Sequence, residues 1–505
     1  MTRPGTLWIR PAVVLAAASF ILHALANGHY GFFRDELYFI VCGGRPDWGY
    51  VDQPPVIPLL AAGSHAVFGD FLWGFRLLPA LVMSATVAAT AEFARLVGGG
   101  RFAQWLAGLC VLVGPIFLLM GVLFFTDMFQ ALTLLGLAWV LVRLERTGDE
   151  RWWLAFGAIA GLGFNTKYTI VFYLAALAIG LLTTPRTKSL LRPWIYLGTL
   201  IAGVMMLPNL MWQQAHGWPF LELGKAAVGG KNATMSLPAF FLQQVLYIGP
   251  WAAAVWLCGL WACLSRPPVK VARAFAIAWL VLALTFDALH GKPYYLYAIY
   301  PILLALGAQR IEGWARAPAV RGVALGGVTV LGALAAPFTL PILPVETFIR
   351  YEKAIGFMPS VGERLTSAAL PQYYADMFGW PEMAAKVAAV YRALPPRERA
   401  RAVFYGENYG EAAAIDVFGR RLGLPAAISG HNNYWIWGPR GHDGEVLIVV
   451  GGEPEHYAQL FQSVEVAGRI DAPYAMPFET GQPIYVLRGM KTPLQAYWPE
   501  TRSYR

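Results

Sequence analysis

Charge is scarce in this chain. Only 14% of its 505 residues are Asp, Glu, Lys or Arg, against about 25% in an average soluble protein. That shortage excludes an ordinary soluble domain, and 57% hydrophobic residues point to a polytopic membrane protein with a more polar tail. Cysteine is scarce too. Cys42, Cys110, Cys258 and Cys263 form no CxxC and no paired spacing, so neither a disulfide framework nor a zinc site is indicated. No basic run with interleaved aromatics occurs, which argues against a nucleic-acid partner. The net charge of +9 is instead what basic cytoplasmic loops give a membrane protein. No P-loop or Rossmann fingerprint is present, so no soluble nucleotide site is needed. Internal repeats are absent, including the inverted repeats of many transporters.

Apolar runs are abundant. A span needs ~20 residues, and about eleven runs qualify. They lie at 8–26, 70–97, 101–121, 125–143, 152–165, 168–184, 193–211, 239–263, 272–289, 294–310 and 321–343. With the N-terminus in the cytoplasm, every inside loop is basic, from Arg3 and Arg10 through Arg95 and Arg101 to Arg310, Arg316 and Arg321. That is the positive-inside pattern, and an odd span count puts the tail outside. Near residue 345 charges and turn residues become frequent. The segments 401–405, 445–451 and 483–489 read as strands, and 409–423 and 454–464 as helices. The expected fold is mainly α: a transmembrane helical bundle over 1–344 with an amphipathic first outer loop, then a small α/β domain over 345–505 outside the membrane.

The outer loops gather the reactive residue types. Residues 32–60 pack Arg34, Asp35, Glu36, Asp47 and Asp52 among aromatics and a Pro-Pro pair. Ionisable residues at a membrane edge mark a functional site by default. A carboxylate such as Asp35 acts as a general base if it reaches the hydroxyl it must deprotonate. Asp127, in FFTDMF, supplies a second acid; it also reads as a helix N-cap. Lys167 opens a span from outside, either to neutralise a phosphate or as a snorkelling lysine. His290 and Lys292 precede Pro293 and a tyrosine belt at Tyr294, Tyr295, Tyr297 and Tyr300. Such belts are common at interfaces, and the basic pair ahead of it suits an anionic headgroup.

RDELYF, GYVDQPPVIPLL, TDMF, TKYT and HGKPYYLYAIYP occur in that order. The series resembles the polyprenyl-phosphate-sugar-dependent glycosyltransferases of the GT-C superfamily. Glycosyltransferase family 39, with its dolichyl-phosphate-mannose protein mannosyltransferases, and the bacterial aminoarabinose transferases are the nearest groups. The tail segment from FYGENYGEAAAIDVFG to ISGHNNYWIWGP is similar to bacterial members. The resemblance implies a helical bundle with an active site facing the periplasm or lumen. It makes Asp35 the base, Glu36 its partner and Asp127 the second acid. One departure stands out. Many relatives carry lysine before the Pro-Pro pair, to contact the donor phosphate; this chain has Gln53, preceded by Asp52. Arg34, Lys167 and Lys292 are the candidate replacements.

These readings converge on a multi-pass glycosyltransferase of a bacterial inner membrane. It would move a sugar from a polyprenyl phosphate to a glycan, lipid or protein hydroxyl at the periplasmic face, with inversion. No cofactor is required, and a divalent metal is left open, since Asp and His are available without diagnostic spacing. The rival reading is a transporter or flippase of lipid-linked sugars, which should carry ionisable residues near mid-span and not at the outer ends. A membrane-anchored binding protein would leave the acidic loop unexplained.

Overall fold

The computed structural model describes residues 10–226, 228–229, 235–357 and 368–504; Arg3 lies outside them. The chain forms two compact units. The first comprises Met1–Gly28, Arg76–Met211 and Asn232–Pro344, the second His29–Phe75, Trp212–Lys231 and Val345–Arg505. Two segments from the N-terminal part, 29–75 and 212–231, therefore cluster with the C-terminal domain.

The first unit is helical. Among the described residues, Leu72–Leu96, Pro193–Ala215 and Pro318–Phe338 are individually long and apolar enough to cross a membrane. Three bent helix pairs also pass that test jointly. The expected run 101–121 is the pair Arg101–Leu112 and Pro115–Val122, bent by 63°. The run 239–263 is Leu237–Ile248 and Pro250–Ser265, bent by 110°, and Ile170–Leu182 turns by 106° into Pro185–Leu191. Each break has a proline at the start of the following helix. Proline lacks the N–H that would continue the preceding ladder, yet suits a first helical position. At the 110° break Gly249 adopts φ 98°, a conformation that favours glycine.

Small residues let these helices touch. A methyl added at Gly259 would collide with the Leu303 carbonyl, and one at Gly307 with the Val255 carbonyl. Pro250–Ser265 and Tyr300–Trp314 thus meet backbone to backbone, a mode of packing that works where lipid removes the hydrophobic drive between helices. Helix ends are tied by acids from elsewhere in the unit. Both Glu145 carboxylate oxygens accept backbone N–H bonds of 2.6 Å, from Lys270 and Val271, at the start of Ala272–Ala288. A carboxylate there satisfies orphan donors and meets the positive end of the helix dipole.

The second unit holds a five-stranded sheet: β1 (Ala402–Gly406), β2 (Ile428–Ser429), β3 (Val446–Val450), β4 (Phe461–Arg469) and β5 (Pro483–Met490). Their order is β2-β1-β3-β5-β4. β1 runs parallel to β2 and β3, while β5 runs antiparallel to β3 and β4. The central β3, VLIVV, is buried throughout, as a covered strand requires. The expected helix 454–464 is helical only over its first seven residues. Pro454–Leu460 is helix, and Phe461 then starts β4. Val464 and Val466 pair with Leu487 and Tyr485, a non-local gain that overrides the local helical pattern.

The segment after the first helix folds in this unit with two short helices, Arg34–Gly43 and Val56–Phe68. Leu37, Tyr38, Phe39 and Ile40 are buried, whereas Val67 stays 75% exposed.

Candidate active site

In the second unit the chain enters the Arg34–Gly43 helix through Phe33. The Glu36 carboxylate accepts the Phe33 backbone N–H at 2.8 Å, and Glu36 is fully buried. Glu36 thereby closes the helix N-terminus. Its neighbour Asp35 stays partly open, with 27% of its side chain exposed. Two groups approach Asp35 Oδ1: the Tyr409 hydroxyl donates to it at 2.7 Å, and Arg34 Nε lies 3.6 Å away. The same guanidinium stands 3.7 Å from Asp376 Oδ2 and 5.4 Å from the Tyr409 ring centre. Arg34 is thus held between two carboxylates and an aromatic face.

The rest of the loop is secured in the same way. Tyr38 donates its hydroxyl to Asp52 at 3.2 Å. Asn433 Oδ1 accepts the Val51 backbone N–H at 2.7 Å. Gln53 is 1% exposed, and neither polar atom of its side-chain amide has a hydrogen-bond partner among the described residues. Buried amides seldom go unpaired, and each orphan costs about 1–3 kcal/mol.

Asp376, Tyr409 and Asn433 are the residues that sequence reasoning missed. A signal existed at Tyr409. Asn408 and Glu411 have capping-box spacing at the start of the Tyr409–Val417 helix, and the Asn408 side chain accepts the Glu411 N–H at 3.0 Å. Asn408 Nδ2 also donates to Glu411 at 2.8 Å and to Glu479 at 3.0 Å. Burial drives the Glu411 carboxyl well above its ordinary range, helped by the charges of Glu479 and Glu407. Glu479 is pushed up to about 7, again mainly by burial and against the pull of Arg34.

The first unit gathers a different cluster. Asp127 lies in a non-helical stretch between Pro115–Val122 and Gln130–Thr147, and Lys167 in another between Trp152–Phe164 and Ile170–Leu182. Lys167 Nζ pairs directly with Asp127 Oδ2 and donates to Thr126 Oγ1 at 3.1 Å. It also stands 5.2 Å from the Tyr295 ring centre. Tyr294 packs edge-on against Tyr295 at 5.0 Å, and Lys292 Nζ lies 5.8 Å from the Tyr294 ring. Asp127, Lys167, Tyr295, Tyr294 and Lys292 therefore form one continuous chain of contacts. The capping expectation for Asp127 does not hold. The N-cap of Gln130–Thr147 is Phe129, without a side-chain bond, because the Asp127 carboxylate is taken by Lys167. Asp127 Oδ1 is buried with no hydrogen-bond partner among the described residues. His290 is exposed, with φ 50°, beyond the end of Ala272–Ala288. No three His, Cys, Asp or Glu side chains among the described residues are placed to hold a metal ion.

Residues 52–212 match the dolichyl-phosphate-mannose-protein mannosyltransferase family. The crystal structure of ArnT from Cupriavidus metallidurans bound to undecaprenyl phosphate aligns with 94% of this chain and 97% of its own, with a TM-score of 0.65 at 15% identity. The fold is shared with ArnT. Among sequence relatives, lipid A galacturonosyltransferase RgtD of Rhizobium johnstonii is 28% identical over 282 residues, 53% of this chain and 58% of the relative. Undecaprenyl phosphate-alpha-4-amino-4-deoxy-L-arabinose arabinosyl transferase 1 of Pseudomonas fluorescens is 25% identical over 361 residues, 65% of this chain and 62% of that one. The chain thus spans about six-tenths of the length of these two relatives. The family match takes in Asp52, Gln53, Asp127 and Lys167, and starts after Asp35.

Proposed function

We propose that this chain is a polyprenyl-phosphate-sugar-dependent glycosyltransferase of a bacterial inner membrane, with its active site and residues 345–505 on the periplasmic side. The ArnT-like fold and the family match support the class. One observation in this structure carries the reaction. Of the two adjacent first-loop acids, Glu36 is sealed into a helix cap, while Asp35 keeps a partly open carboxylate steadied by Tyr409 and Arg34. That is the arrangement of a general base. Asp35 would take the acceptor hydroxyl proton as the acceptor oxygen attacks the anomeric carbon, and the polyprenyl phosphate would leave with inversion.

The leaving phosphate gains charge that the site must meet. Lys292 Nζ lies 5.8 Å from the Tyr294 ring, in a segment whose surroundings are fixed by His290, Pro293 and the tyrosine belt. We assign Lys292 the leading phosphate contact, with Lys167 and Arg34 as alternates. The unbonded Gln53 amide offers a neutral donor where relatives have lysine. The acceptor remains a glycan, a lipid or a protein.

Mass spectrometry of the cell envelope tests the reading. Cells carrying Asp35→Asn should lose one sugar substituent that wild-type cells have, with the protein still in the membrane. An unchanged envelope in both the variant and a deletion strain sinks the transferase assignment.

A further inference from the structure

We propose that Tyr409, from the C-terminal α/β domain, is a positioning residue for Asp35: its hydroxyl holds one carboxylate oxygen so that the other takes the acceptor proton. The inference rests on Asp35 being the base. The donated bond to Asp35 Oδ1 is 2.7 Å, and Arg34 Nε approaches the same oxygen at 3.6 Å. With Oδ1 occupied, proton uptake is directed to Oδ2.

The hydroxyl is placed from several sides. Tyr409 is the first residue of its helix, capped by Asn408. Its backbone N–H donates to His431 Nδ1 at 3.3 Å. Its ring packs against Tyr38 of the first loop at 4.7 Å and against His431 at 4.8 Å. The following residue must be small, because a methyl at Gly410 would collide with the Arg34 side-chain stem. Burial drives the Tyr409 phenol well above its ordinary range, so it keeps its proton and acts as a donor. A buried phenol needs a hydrogen-bond partner, and here that partner is the carboxylate of a side chain that stays 27% exposed. The soluble domain would then belong to the catalytic unit itself, because it supplies the group that orients the acid.

Tyr409→Phe removes only the hydroxyl. The full-length protein is assayed in detergent with undecaprenyl-phosphate-linked mannose, galacturonic acid and 4-amino-4-deoxyarabinose, with lipid A as acceptor. Binding of undecaprenyl phosphate alone and the melting temperature are read in parallel. The expected result is a kcat lower by roughly 10- to 100-fold, the loss of one hydrogen bond to a charged group. Donor KM, undecaprenyl phosphate binding and melting temperature should all stay near wild type. Added to Asp35→Asn, Tyr409→Phe should cost nothing further. Wild-type kcat in Tyr409→Phe, with Asp35→Asn inactive, overturns the positioning role and leaves the base intact. A loss shared by kcat, binding and melting temperature also overturns it, in favour of a structural role. Normal turnover by Asp35→Asn removes the base itself, whatever Tyr409→Phe does.

Discussion

Asp35 and Asp127 are both acids flanked by a cation and a tyrosine, yet they sit in opposite kinds of surroundings. Asp35 is 27% open, takes a neutral phenol bond, and shares its arginine with Asp376. Asp127 is 3% exposed and is paired outright with a lysine in a helical, apolar unit. An open carboxylate held by neutral and shared donors can cycle a proton. A buried one fused to a lysine works as a fixed charge, because separating the pair strands an ion in low dielectric. The same residue type is thus suited to chemistry in one unit and to holding a cation in the other.

The largest expected effect tests the first half of that contrast. Asp35→Asn should lower turnover by roughly 10²- to 10⁴-fold, the worth of a general base, with unfolding unchanged. Initial rates and a melting curve on one preparation check it. The phosphate contact follows. Lys292→Ala should cost roughly 10²- to 10³-fold in rate, and Arg34→Ala and Lys167→Ala serve as comparisons. If all three keep near-normal rates, the phosphate is held by another group.

The fixed-charge half is tested by stability. Asp127→Asn or Lys167→Met alone should destabilise by roughly 3 kcal/mol, because either leaves one buried ion uncompensated. The double variant should recover most of that loss. Melting curves of the three proteins decide it, and additive losses would show the pair to be uncoupled.

The smallest effect concerns the hydrogen-bonded side. Glu479 has its carboxyl raised from 4.5 to about 7, so the folded state binds its proton more tightly than the unfolded chain does. The stability it contributes is whole below pH ~4.5 and is lost as pH rises to about 7. Glu479→Gln should therefore flatten that decline and add roughly 1–3 kcal/mol at pH 8. Unfolding measured at pH 5 and pH 8 checks the sign.

The sequence by itself determined the class of this protein. Low charge, long apolar runs and a polar tail require a helical membrane part and a separate α/β part, because lipid tolerates only backbones whose bonds are satisfied internally. It also marked Asp35, Asp127, Lys167 and the 290–300 segment, since ionisable groups at span ends are costly and stand out. Three strands of the tail were legible from their apolar runs, but the two-residue β2 and β4 were not, β4 because its pairing with β5 is non-local. The tertiary structure alone decided the partners. Lys167 meets Asp127 from 40 residues away, and Tyr409 meets Asp35 from 374 residues away. Nothing in local periodicity encodes such meetings. They arise from packing, which sealed Glu36 into a cap and left its neighbour Asp35 open.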